Sequence, residues 1–288
     1  MPVITPFDPW KSKLCTCPFK YSFSPYIGCF HGCLYCYASS YIPRFSEVRV
    51  KKDIIKKLNR EIFKIGQNKY VTIANSNDPY QPIEEKLKLT REALKIFSSH
   101  DFKIMIVTKS NLVVRDLDIL KKSKAAVSIT ITTLDENKAK RLEPNAPSPE
   151  KRLEAIKILS RNGIPVIVRI DPIIPLINDI EIDNLVRNVV ESGARHIVSS
   201  TYKVKLDNWG RMKKEFPKEM NRLKDLYFKW GEKINGYYYL PQEYRYKLMK
   251  RVFDKAREFN ATFAVCREGF VELNSGKTCD GSHLIQSI

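Results

Sequence analysis

What most limits the folds open to this chain is a rhythm of short β-branched runs, each followed by an amphipathic stretch long enough for a helix. "KYSFSPYIG" (20–28) predicts a first strand and "EVRVKKDIIKKLNREIFKIG" (47–66) a basic amphipathic helix. "YVTIANS" and "IEEKLKLTREALKIFSS" repeat the pattern, as do "FKIMIVTKS" with "VRDLDILKKS" and "AAVSITITT" with "SPEKRLEAIKILSRNG". "IPVIVRIDPIIP" with "DIEIDNLVRNVVESG" follows, and "ARHIVSSTYK" is a sixth strand. Period-2 apolar runs alternating with period-3.6 helices are the pattern of parallel βα units. Gly163 and Gly193 stand where helix C-caps belong, each just before a strand.

Six such units give a parallel α/β domain, as an open sheet or a barrel, with its active site at the carboxyl ends of the strands. The polar segments "NSNDPY" (75–80), "TKS" (108–110), "TT" (132–133), "RIDP" (169–172) and "SSTY" (199–202) should converge there. The boundaries expected are an N-terminal extension over 1–19, the α/β domain over 20–204 and a basic, mainly helical extension over 205–288. Within that extension two helical segments precede "ATFAVC", a candidate seventh strand.

The segment "PYIGCFHGCLYCYAS" (25–39) follows the first strand and places Cys29, Cys33 and Cys36 in a Cys-x3-Cys-x2-Cys spacing around His31. Closed zinc sites and most small iron–sulfur sites take four protein ligands. Three thiolates fit a cluster with one iron left open, or a zinc ion completed by a distant residue. The chain has seven cysteines; the other four are Cys15, Cys17, Cys266 and Cys279. These four could share a second metal or cluster if the two ends of the chain meet, or be unrelated thiols.

The net charge of +18, from 50 Lys and Arg against 32 Asp and Glu, favours a polyanionic partner such as nucleic acid. A solvated lysine-rich surface would give the same excess. From 203 to 260 there are 16 Lys and Arg against 8 Asp and Glu. Interleaved with them are Trp209, Tyr227, Trp230, Tyr237, Tyr238, Tyr239, Tyr244 and Tyr246, which suit stacked bases or an aromatic cap packed on the barrel. No apolar run approaches the ~18–20 residues of a membrane span. The opening carries no basic-then-apolar leader, so a cytoplasmic, reducing location is expected.

"CFHGCLYC" resembles the cysteine triplet of the radical S-adenosylmethionine (radical SAM) superfamily. Over about residues 20 to 200 the chain is similar to the spore photoproduct lyase branch of that superfamily. "NSNDPYQPIE", "TKSNLVVRDLDIL", "SITITTLDENKAKRLEPNAPSPEKRLEAI" and "VRIDPIIPLIND" carry that closer resemblance. It implies a six-fold βα partial TIM-type barrel. It also implies a [4Fe–4S] cluster on Cys29, Cys33 and Cys36, with S-adenosylmethionine on the open iron. A one-electron reductant of ferredoxin or flavodoxin type would drive cleavage to a 5'-deoxyadenosyl radical that takes hydrogen from a substrate.

By the same resemblance Tyr35 lies near the adenine, while Ser76, Asp78, Lys109 and Ser128 serve the aminocarboxylate. Arg141 and Glu143 in "RLEP", and Arg169 and Asp171 in "RIDP", line or brace the pocket. One departure stands out: spore photoproduct lyase has a hydrogen-donating cysteine near its second strand, and "TIANSNDPY" here has none. DNA repair or RNA modification is the leading expectation, with a peptide or small metabolite as the alternative substrate. A non-catalytic protein with zinc at the triplet is the reading from another class.

Overall fold

The computed structural model describes residues 2–7, 12–66 and 70–285. Its main sheet has eight strands in the order β1-β2-β5-β6-β7-β8-β9-β12. They are β1 (Ile4–Pro6), β2 (Tyr21–Phe23), β5 (Tyr70–Ile73), β6 (Lys103–Thr108), β7 (Ala125–Thr130), β8 (Val166–Ile173), β9 (His196–Thr201) and β12 (Thr262–Val265). All are parallel except β1, which pairs antiparallel with β2 at one edge. Two small antiparallel pairs lie outside it: β3 (Tyr26–Ile27) with β4 (Arg49–Val50), and β10 (Glu232–Ile234) with β11 (Tyr237–Tyr239).

The crossovers carry α1 (Ile54–Glu61), α2 (Ile83–Leu87), α3 (Leu89–Ser99), α4 (Leu117–Leu120), α5 (Glu136–Leu142), α6 (Pro149–Arg161) and α7 (Ile182–Glu191). Beyond β9 come α8 (Leu206–Glu215), α9 (Pro217–Phe228) and α10 (Gln242–Glu258). Among the described residues no helix is long and apolar enough to cross a membrane.

Strand alternation separates two apolar layers. Ile104 and Ile106, Val127 and Ile129, Val166 and Val168, and Ile197 pack beneath the helices against Leu94, Phe97, Leu159 and Val186. Their neighbours Met105, Ala126, Ile167 and Val198 point the other way and form a small cluster with Ile285. Two residues further along the same strands stand Val107, Ser128, Arg169 and Ser200, which line the central cavity. The inner face is therefore apolar toward the start of the strands and mostly polar toward their carboxyl ends, as a partial barrel with its site at that rim requires. The last segment fits tightly at the base: a Cβ on Gly281, at φ +79°, would stand 2.4 Å from Ile167 Cγ1.

Several elements differ from the sequence expectation for identifiable reasons. The single strand over 20–28 is two, because Pro25 has no N–H to continue the ladder and the chain turns into β3. The long helix over 47–66 begins only at Ile54, since residues 49–50 pair with β3. The helix over 83–99 breaks at Lys88, whose φ is +53°. There Glu84 turns inward and accepts from Thr90 N (2.9 Å) and Arg91 N (3.2 Å). Helix α5 and the β10–β11 hairpin were not foreseen. "ATFAVC" does form a strand, which extends the parallel sheet past β9.

Candidate active site

The cysteine loop runs from Gly28 to the 3-10 turn at Ala38–Ser40 and is fixed by its neighbours' backbones. Gly28 is required: at φ +80° a Cβ would stand 2.5 Å from Glu47 O and 2.6 Å from Phe45 O. Cys29 N donates to Phe45 O (2.8 Å) and Leu34 N to Leu142 O (2.9 Å), the latter at the end of α5. Phe30 N donates to Gln81 Oε1 (2.9 Å). Helix α8 clamps the other flank. Arg211 donates to Leu34 O (3.1 Å), Cys36 O (2.7 Å) and Ser39 Oγ (2.9 Å), and Asn208 Nδ2 to Tyr35 O (3.1 Å).

Cys29, Cys33 and Cys36 are free thiols that line a cavity of about 450 Å³. Burial pushes all three thiols up, Cys29 to about 12, so each is a neutral thiol until a metal displaces its proton. Among the described residues no three His, Cys, Asp or Glu side chains are grouped to hold a single metal ion. His31 sits instead against Asp78, Nδ1 to Oδ2 3.5 Å. Three free thiols at the edge of an open cavity fit a cluster that keeps one iron free for a further ligand.

Beneath the loop lies a fully buried carboxylate, Glu143. Its partners are the Tyr35 hydroxyl, Thr132 Oγ1 (2.9 Å), the Arg152 guanidinium (2.5 Å) and, at 4.0 Å, Lys109 Nζ. Burial opposes its charge, yet Arg152 and Lys109 hold its carboxyl down at about 2. Burial likewise works against a charged Lys109, but Glu143 raises its pKa. Lys109 Nζ also lies 5.6 Å from the Tyr35 ring centroid. The result is a fixed cation at the end of β6, beside the thiols, suited to a carboxylate ligand.

Of the other expected site residues, Ser76, Asp78, Ser128, Arg169 and Asp171 also line this cavity. Asp78 accepts from Tyr80 N (2.8 Å), Thr108 Oγ1 (2.7 Å) and Lys109 N (2.6 Å), and so braces the ends of β5 and β6. Ser76 Oγ accepts from the Tyr41 hydroxyl (3.2 Å). Arg169 pairs with Asp171 (2.5 Å), which also accepts from Ser200 Oγ (2.5 Å). Arg141 is not brought to the cavity. It lies on the surface, paired with Glu215 (2.6 Å) and stacked on Phe216.

Sequence reasoning missed Tyr37, Tyr41, Lys203 and Arg267 in the cavity wall, and the clamp by α8. Ser200, from the expected "SSTY" segment, does reach the cavity, as the β9 counterpart of Ser128 and Arg169. The C-terminal aromatics mostly pack internally. Trp209 meets Tyr227 and Phe228 edge-on, Tyr238 meets Phe228, and Tyr227 donates to Tyr202 O (3.1 Å). Trp230 stays largely exposed. Those rings form a cap on the barrel rather than a ladder for bases.

A partial α/β barrel with a free cysteine triplet and a buried cation at its rim defines a protein built to hold a metal cluster and an anionic cofactor. Residues 23–189 match the radical SAM superfamily. The chain belongs to that superfamily, which implies S-adenosylmethionine and a [4Fe–4S] cluster as its cofactors. An uncharacterised protein of Methanocaldococcus jannaschii is 38% identical over 167 residues, which is 56% of this chain and 63% of that protein's length. The radical SAM Nalpha-GlyT isomerase of Pseudomonas phage M6 is 21% identical over 256 residues, covering 85% of this chain and 53% of its own. Spore photoproduct lyase, solved with bound AdoMet and dinucleoside spore photoproduct, has the same fold: TM-score 0.69 at 18% identity, over 89% of this chain and 79% of that one.

Proposed function

We propose that this chain is a radical SAM enzyme that removes a hydrogen atom from a nucleic acid, with Cys29, Cys33 and Cys36 as the cluster ligands. The observation that carries the chemistry is the triplet itself: three unpaired thiols on a braced loop, facing a cavity beside Lys109. When bound, the cluster and S-adenosylmethionine supply reductive cleavage to a 5'-deoxyadenosyl radical, driven by a one-electron reductant of ferredoxin or flavodoxin type. The protein supplies position and shelter. Lys109 would hold the aminocarboxylate, with Ser128 and Asp78 nearby. Glu143 keeps Lys109 charged and Tyr35 in place. Arg169 and Asp171 stand further along the same wall, toward the substrate.

Two facts support the substrate class. The surface carries a net +18, which draws a polyphosphate backbone. The fold is also that of an enzyme solved with a dinucleoside bound. Packing of the C-terminal rings places the weight on phosphate contacts rather than base stacking. The test is isotopic. With perdeuterated DNA or RNA as substrate, deuterium should enter 5'-deoxyadenosine. Product that stays unlabelled on both polymers, yet gains deuterium from a perdeuterated peptide or metabolite pool, would overturn the nucleic acid assignment.

A further inference from the structure

The main sheet is open: β1 and β12 are its two edges. What spans the gap is a group of sulfurs. Cys15 and Cys17 arrive on the segment before β2; Cys266 follows β12, and Cys279 lies in the closing segment at the base. All four line the same cavity as the triplet but come from other segments of the chain. Cys17 Sγ accepts from the Cys279 thiol at 3.6 Å. Lys20 Nζ stands 3.6 Å from Cys17 Sγ and is paired with Asp280 at 2.6 Å. Arg169 lies within electrostatic reach of Cys266, on the same cavity. None of the four is in a disulfide.

Four cysteines contributed by both ends of a chain, with no disulfide among them and bordering open space, differ from thiols used as core filler. Core cysteines are surrounded by apolar side chains. These have Lys20, Arg169 and Asp280 as neighbours. Four thiolates from two segments are a ligand set for a tetrahedral, thiophilic metal, either zinc or iron in a cluster. All four border open cavity space, which a cluster fills and a lone ion would leave, and that favours the cluster.

We infer that Cys15, Cys17, Cys266 and Cys279 hold a second iron–sulfur cluster, which closes the open side of the barrel by tying the N-terminal segment to the C-terminal one. The site is separate from the triplet and stands whether or not the triplet's own chemistry is as proposed.

Anaerobic reconstitution with iron and sulfide tests it in the full chain. A variant with Cys29, Cys33 and Cys36 all changed to Ala should still bind roughly four irons, with a visible charge-transfer band. Changing Cys15, Cys17, Cys266 and Cys279 to Ala in the otherwise natural chain should lower its iron to about half, leaving the triplet's share. If the fourfold variant fails to fold, the triplet-free variant still decides the question. Colourless, iron-free protein in that variant would overturn the assignment. Retention of a single zinc ion in place of iron would overturn it equally.

Discussion

At the residue scale the site depends on one carboxylate. Glu143 sits with no solvent contact among Tyr35, Thr132, Arg152 and Lys109, and its charge is what makes that arrangement stable. A carboxyl held near 2 when folded, against an ordinary value of 4.5, binds a proton more readily once unfolded. Its contribution is therefore complete above the ordinary value and is lost as pH falls from there toward about 2. The shift corresponds to about 3 kcal/mol. Asp171 and Asp280 are lowered in the same direction, against burial, by Arg169 and Lys20 respectively, and add to the effect. Melting temperature measured from pH 6 down to 2.5 should fall most steeply below pH 4.5. Glu143→Gln should be less stable at neutral pH by about 3–5 kcal/mol, since it leaves Arg152 buried without its counter-charge. A variant as stable as the natural chain at both ends of that range would show that Glu143 is not charged in the fold.

At the scale of elements, the cysteine loop is shaped by pieces far away in sequence. Helix α5 supplies Leu142 O, and α8 supplies Arg211 and Asn208. The segment after residue 205 is thus a working wall of the site. Arg211→Ala removes three hydrogen bonds to the loop, two of them to the backbone carbonyls of Leu34 and Cys36. The expected result is a fold that survives, with stability lower by about 1–3 kcal/mol. Cluster retention on gel filtration and S-adenosylmethionine affinity should both fall, while Arg211→Lys should restore part of each. Unchanged affinity and iron content in Arg211→Ala would mean that the clamp has no part in shaping the site.

At the scale of the whole molecule, the parallel barrel was legible because its strands and helices have different apolar periods, and the rim position of the cysteines followed from that topology. What the sequence hid came from contacts between distant segments. The stop at Pro25 and the pairing of residues 26–27 with 49–50 split one expected strand and shortened one expected helix. The family resemblance had Arg141 of "RLEP" lining or bracing the pocket, but helix α5 turns it outward to Glu215 while Glu143 turns in. The C-terminal rings read equally well as a base-binding strip or as a cap, and only their packing partners distinguish the two.

The central claim is that the triplet carries an S-adenosylmethionine-cleaving cluster. It is tested most directly by anaerobic reconstitution, reduction with dithionite and quantification of 5'-deoxyadenosine, with Cys33→Ala in parallel. The account predicts a brown protein that forms 5'-deoxyadenosine, and loss of that product in Cys33→Ala. A colourless, zinc-bearing protein that leaves S-adenosylmethionine intact, or a Cys33→Ala variant that still cleaves it, would contradict the account.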